Sequence, residues 1–152
     1  MVDDEIKKRA LAEFLGLDED EIDDLIKEDY NYYGLTVFSY GDDEMYAIGT
    51  DEEADRAVKE YIKNSVWAFD TDFILIHCDL PLELAPALKH FQRTECEGAN
   101  DALLALIEKC GDFDKFVEEA VATDGRGHFL NPYDGVEHEV EYNGETFYIY
   151  RI

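Results

Sequence analysis

The residues best suited to chemistry in this chain are carboxylates. From Asp18 to Asp29, eight of twelve residues are acids, and further runs stand at Asp3 to Glu5, Asp42 to Glu44 and Asp51 to Asp55. Carboxylates in such numbers can hold cations, imitate phosphates or simply solvate a surface. A calcium-binding EF-hand loop needs Gly at its sixth position and Glu at its twelfth. Neither Asp18-x-Asp20 nor Asp42-Asp43-Glu44 begins such a loop, so no metal site is expected. Read as a helix, 18–29 carries about one charge per 2.3 Å of axis at a rise of 1.5 Å per residue. Duplex DNA carries one per about 1.7 Å. The candidate partner-binding surface is therefore Asp18, Asp20, Asp23, Asp24 and Asp29 with Asp42, Asp43 and Glu44. The plain alternative is a well-capped, solvated helix face.

A second constellation is "DGRGHFLNPYDG", which places Arg126 and His128 among glycines. Glycines let backbone N–H groups turn toward an anion, Arg126 suits phosphate or carboxylate, and His128 can move a proton. This makes 124–135 a candidate anion-binding loop and the seat of any small enzyme activity. The competing reading is a helix end at Gly125 with Arg126 paired to one of the many acids. No GxSxG, Walker A, HExxH or dinucleotide-binding fingerprint is present, so no catalytic residue and no cofactor is assigned and a non-enzyme is expected. His77, Cys78, His90, Cys96 and Cys110 match no compact zinc spacing. Three cysteines, an odd number without CxxC, read as reduced thiols in a cytosolic protein. Cys96 and Cys110 are expected on or near apolar faces of one helix, too far apart to bridge.

Composition sets the frame for these sites. The chain has 152 residues, 46% hydrophobic and 13% aromatic, enough for a real core. Thirty-eight acids oppose thirteen bases, for a formal net charge of −25. Such a charge repels nucleic acid and anionic lipid and speeds encounter with basic surfaces. Residues 1–60 hold twenty acids and six bases, so the N-terminal portion is the stronger electrostatic surface. The start, "MVDDEIKKR", reads without a signal-peptide core. The longest aliphatic run, "FILIH", is far too short to span a bilayer, and no membrane association is expected.

The elements that must position these residues follow from periodicity. Ile6, Ala10 and Phe14 with Leu11 and Leu15 mark a helix over 3–15, stopped by Gly16. Asp18 and Glu21 form a capping-box pattern, Leu17 and Ile22 a hydrophobic staple, and Ile22, Leu25 and Ile26 an apolar stripe, which predicts a second helix over 18–29. Residues 35–40 and 44–49 read as a hairpin around Gly41-Asp42-Asp43. Thr50 and Glu53 form another capping box, opening a helix with Ala54, Ala57, Val58, Tyr61, Ile62 and Val66 inward. Helices are expected after Thr71 and Pro86, after Thr94 with Glu97 as a third capping box, and after Asp112. The segment "VEHEVEYNGETFYIYRI" alternates around Asn143-Gly144, a strong hairpin signal. The expected architecture is a single α+β domain over 1–152, with several short helices and two hairpins joined in one small antiparallel sheet.

Two stretches, "TDEEADRAVKEYIKNSVWAF" and "DGRGHFLNPYDGVEHEV…FYIYR", resemble segments of small acidic proteins of unassigned function in tailed bacteriophages and prophages. The resemblance covers roughly the last two thirds of the chain and carries no catalytic residues. It implies expression in the cytoplasm of an infected bacterium. With the charge, it points to a phage-type inhibitor of the anti-restriction or anti-CRISPR kind, which binds a basic, nucleic-acid-binding host protein by imitating DNA and does not bind nucleic acid itself. The alternatives are a small enzyme or ligand-binding domain built on the Arg126 loop, and a phage structural or assembly module.

Overall fold

Helix α1 (Asp4–Leu15) begins where the sequence places it. Asp3 caps it by accepting the Ile6 N–H at 2.9 Å, and Gly16 ends it in the left-handed region. The structure, a computed structural model, describes residues 3–152. The chain then folds α1, β1 (Leu25–Tyr32), β2 (Leu35–Tyr40), β3 (Glu44–Gly49), α2 (Asp51–Lys63), α3 (Thr71–His77), α4 (Ala85–Glu95), α5 (Asn100–Cys110), α6 (Phe113–Asp124), α7 (Arg126–Leu130), β4 (His138–Tyr142) and β5 (Glu145–Arg151), with short 3-10 turns between several of them. The fold is α+β. It divides into two compact units, one comprising the chain up to Val58 together with Asp124–Ile152, the other Lys59–Thr123. None of the helices among the described residues is long and apolar enough to cross a membrane.

The first unit holds one antiparallel sheet in the order β1-β2-β3-β5-β4. The two expected hairpins do share it, because β3 pairs with β5, Ile48 opposite Ile149. Side chains alternate across it as strand geometry requires. Leu25, Phe38, Tyr46, Ile48, Phe147 and Ile149 face α1 and form a core with its Ala10 and Leu11. Each fully buried Phe or Leu in that layer contributes about 1.5–3 kcal/mol of transfer free energy. On the opposite face Leu35, Val37, Ala47 and Tyr150 are fully buried. The Thr50–Glu53 capping box of α2 forms reciprocally: Thr50 N–H donates to Glu53 Oε1 at 2.9 Å and Glu53 N–H to Thr50 Oγ1 at 3.3 Å.

The predicted helix over 18–29 does not exist. Residues 22–24 make one 3-10 turn and Leu25–Tyr32 is the edge strand β1. The Asp18–Glu21 pattern is partly real, since Asp18 N–H donates to the Glu21 side chain at 3.0 Å, but it closes a single turn. A helix here would have set Asp20 against Asp24, Glu19 against Asp23 and Asp24 against Glu28. Each such like-charge pair costs about 0.2–0.5 kcal/mol. The strand avoids them and gains a ladder with β2, entered through a two-residue turn in which Tyr33 and Gly34 both have positive φ, 51° and 91°. Of the stripe, Ile22 and Leu25 are buried while Ile26 is 56% exposed.

The second unit is helical. The third expected capping box fails: Thr94 lies inside α4, the chain turns sharply at Cys96, where φ is 49°, and α5 starts at Asn100. Cys96 and Cys110 thus belong to different elements and both are exposed, whereas Cys78 is the buried thiol. Asp70, not Thr71, precedes α3, and the Thr71 hydroxyl donates to Gln92 at 2.6 Å instead. Asp112 caps α6 as expected, accepting from Lys115 N–H at 3.3 Å.

Candidate functional site

The acids predicted to meet a partner come from two segments, and the sheet register sets most of them side by side. Leu25 pairs with Tyr40 and Tyr40 with Glu44. Asp23 and Asp24, just before β1, therefore lie at the same end of the sheet as the β2–β3 turn with Asp42 and Asp43. Neighbouring strand ends stand about 4.8 Å apart. Asp18 and Asp20 occupy the turn leading into that end. All six are exposed. Asp29 stands apart, in the stretch of β1 between Lys27 and Asn31 where the register with β2 shifts. Glu44 is half-buried and turned inward, accepting from Tyr46 Oη at 2.7 Å. Burial, and then Glu44, push the Tyr46 phenol up to about 12.

Little neutralises this end. Lys8 reaches Asp23 at 3.7 Å and Arg9 reaches Glu19 at 3.2 Å, both at exposed carboxylates where an ion pair contributes little. Among the described residues, no base forms an ion pair with Asp18, Asp20, Asp24, Asp42 or Asp43. The charges are not the regular helical ladder that the sequence spacing implies. They form a patch gathered from two turns, because an extended chain rises about 3.3 Å per residue and points successive side chains to opposite faces.

The loop with Arg126 and His128 is built differently from an anion site. Arg126 opens α7, and its guanidinium is met by three carboxylates: Glu137 at 2.7 Å, Asp55 at 2.8 Å and Asp51 at 3.0 Å. Its face lies over the Tyr148 ring, 4.7 Å from the centroid. Burial alone would lower its pKa, but Glu137 and the neighbouring acids hold it well above its ordinary value. The same Glu137 oxygen accepts a hydrogen bond from the buried Tyr150 hydroxyl, whose pKa is raised by burial and by that carboxylate. Three acids around one base leave the locus net negative. Gly127 packs so closely on 135–137 that a Cβ there would stand 2.5 Å from the Glu137 nitrogen. Asn131, almost fully buried, ties the rest of the loop down by accepting from Tyr133 and Asp134 N–H and donating to Val136 O at 2.7 Å. His128 is exposed beside Phe129. The structure places Arg126 and His128 in the same short helix, but gives them no common ligand-facing geometry.

In the helical unit, His77 has the partner of a catalytic histidine and lacks the free nitrogen. Nδ1 lies 3.2 Å from Glu119, and Nε2 accepts the Asp112 backbone N–H at 3.0 Å. Both ring nitrogens are thus engaged within the fold, and neither is left open to a substrate. Among the described residues no three of His, Cys, Asp and Glu converge as metal ligands would.

No family model, curated protein or solved structure matches this chain. The assignment of any site therefore rests on the geometry above. The sequence reading that paired Arg126 with one of the many acids holds, but it did not say which acids, and it missed the pair Lys7–Glu53, 3.0 Å apart. Asp51 and Asp55 have no local signal linking them to Arg126, because they come from a helix more than seventy residues away, whereas Glu137 is only eleven residues on, across a loop whose path the sequence does not specify. Lys7 gave one faint signal, a charge between Ile6 and Ala10 on a helix whose inner face contains them.

Proposed function

We propose that this chain is an acidic binding protein that occupies a basic, phosphate-binding surface of a nucleic-acid-binding host protein and blocks it. The observation that carries this reading is the weakly neutralised carboxylate patch where the 18–24 turn meets the β2–β3 turn. Folding gives no reason for it: among the described residues no base pairs with Asp24, Asp42 or Asp43, and like charges at adjacent strand ends oppose the fold. A partner with Lys and Arg aimed at phosphates would relieve that repulsion, and a net charge of −25 would steer it in. On this reading the protein acts in the bacterial cytoplasm as an anti-restriction or anti-CRISPR type inhibitor and does not itself bind nucleic acid. The enzyme reading has no comparable support, since Arg126 is already surrounded by carboxylates.

The test is capture from bacterial lysate at low salt, followed by competition. A partner in keeping with the proposal binds DNA or RNA by itself and is displaced by duplex DNA. Replacing Asp23, Asp24, Asp42 and Asp43 by Asn leaves the fold intact and weakens that complex, chiefly through slower association. It also flattens the salt dependence of affinity. Unchanged affinity at low salt in the folded variant would refute the proposal.

A further inference from the structure

We infer that the outer edge of β4 is a docking site for an extended segment of a partner protein in which basic and apolar residues alternate. The inference rests on the same expectation of a basic partner, but concerns a different surface.

The sheet has two edges, β1 and β4. The β1 edge is disrupted, because its register with β2 shifts between Lys27 and Asn31. Bulges of this kind blunt an edge against pairing. The β4 edge is regular: all five residues from His138 to Tyr142 pair in unbroken register with β5. The turn that joins them, Asn143-Gly144, has both φ angles positive, 55° and 79°, the geometry of a type I′ two-residue hairpin. In such a hairpin the residues flanking the turn exchange both hydrogen bonds, and bonded and non-bonded pairs then alternate along the ladder. Tyr142, Val140 and His138 therefore direct their N–H and C=O groups inward to β5. Glu141 and Glu139 direct theirs outward, and no other backbone segment among the described residues receives them.

The two faces along this edge differ. On one, Val140 and Tyr142 pack against the α1 core, and Phe14 of α1 lies 5.2 Å from the His138 ring. On the other, Glu139 and Glu141 stand opposite Tyr148 and Thr146 across the hairpin. These residues line an open groove of about 470 Å³. Val140 also lines it although its side chain faces α1, so the groove reaches the strand's backbone. An added strand would bond to the outward groups of Glu139 and Glu141. It would place every second side chain beside those carboxylates and the intervening one beside Val140. Lysine or arginine suits the first position and an aliphatic residue the second. A second copy of this chain is the wrong occupant, because antiparallel self-pairing would set Glu against Glu on a protein of net charge −25.

The probes are a short blocked peptide alternating lysine and valine and a peptide of the same composition with its lysines grouped. Titration into the full chain should show the alternating peptide binding about tenfold tighter, a difference of about 1.4 kcal/mol. The Glu139 and Glu141 amides should become protected from hydrogen exchange. Glu141→Pro removes an outward donor and leaves the inward ladder intact, since proline is tolerated on an edge strand when its missing N–H faces out. It should abolish the tenfold preference. Should that variant unfold, Glu139→Lys with Glu141→Lys keeps the backbone edge. It should reverse the preference toward an alternating glutamate–valine peptide. Equal binding of the two lysine peptides without amide protection would overturn the inference, while leaving the carboxylate patch at the other site standing. Binding by neither peptide would overturn it as well. If low-salt capture also returned no basic partner, the proposed function would fall with it.

Discussion

Replacing Arg126 by Met separates a structural arginine from an anion-binding one. Its side chain is 10% exposed and makes its most buried contact with Glu137, whose side chain is 28% exposed. A charge-assisted bond of that kind contributes about 1.5–3 kcal/mol. The Asp51 and Asp55 carboxylates are 66% and 67% exposed. They regain water when the arginine is lost, so each pair contributes well under about 1 kcal/mol after screening. The stack on Tyr148 adds about 0.5–1 kcal/mol, and the methionine stem retains part of the packing. The expected loss is about 3 kcal/mol, read by urea denaturation followed by circular dichroism at neutral pH. In a domain of this size that corresponds to a fall of roughly 6–12 °C in Tm. Glu137→Gln should cost less, and the double variant should show a coupling of at least about 1 kcal/mol, since the two side chains touch. Arg126→Lys should fall between, because an ammonium cannot serve three carboxylates in the planar fork geometry. If Arg126→Met unfolded within about 0.5 kcal/mol of the parent and instead lost affinity for inorganic phosphate, the loop would be an anion site and the reasoning would fail.

Two further outcomes test other parts of the structure. Lys7→Met should destabilise by about 2 kcal/mol, less than the roughly 3–5 kcal/mol for breaking a fully buried pair, because Glu53 is 26% exposed and keeps its bond from Thr50 N–H. Burial alone would raise the Glu53 pKa, but Thr50 and Lys7 together hold it below its ordinary value. Its contribution is therefore present above the unfolded carboxylate pKa and lost as pH falls through the lower folded one. The gap between parent and Lys7→Met should be widest at neutral pH and narrow in acid, and a gap constant from pH 7 to pH 3 would contradict this. Gly111→Ala should cost about 2 kcal/mol through overpacking, since its Cβ would stand 2.6 Å from the His77 ring. That ring is held by Glu119 and the Asp112 N–H. Adding His77→Ala should recover part of the loss, and no recovery would place the clash elsewhere.

Most of the fold could be read from the sequence because its signals were local. The hairpin strands 35–40 and 44–49, the Thr50–Glu53 capping box and the Asn143-Gly144 turn each specify their geometry within a few residues. The segment 18–29 shows where local signals mislead. Asp18, Glu21, Ile22, Leu25 and Ile26 fit a helix start in capping, staple and apolar spacing. What decides against it is the ladder that Leu25 to Tyr32 forms with β2 and the repulsion a helix would impose, and neither is visible in a capping motif. The Tyr33-Gly34 turn was the available signal. It was weaker than Asn-Gly because tyrosine seldom adopts positive φ.

The same misreading changes what the acidic stretch can do. A helix would have offered a charged face on an amphipathic element, with a spacing set by 1.5 Å of rise. The sheet end offers carboxylates fixed by two turns whose relative position the Leu25–Tyr40 and Tyr40–Glu44 pairings enforce. Asp29 lies in the register-shifted stretch of β1, apart from the sheet end that carries Asp23, Asp24, Asp42 and Asp43. An asparagine scan should follow that placement, with Asp24, Asp42 and Asp43 each weakening a basic partner and Asp29 leaving its affinity within about twofold, roughly 0.4 kcal/mol. A larger effect at Asp29 than at Asp42 would mean that the partner reads β1 along its length, and the patch would no longer be the site.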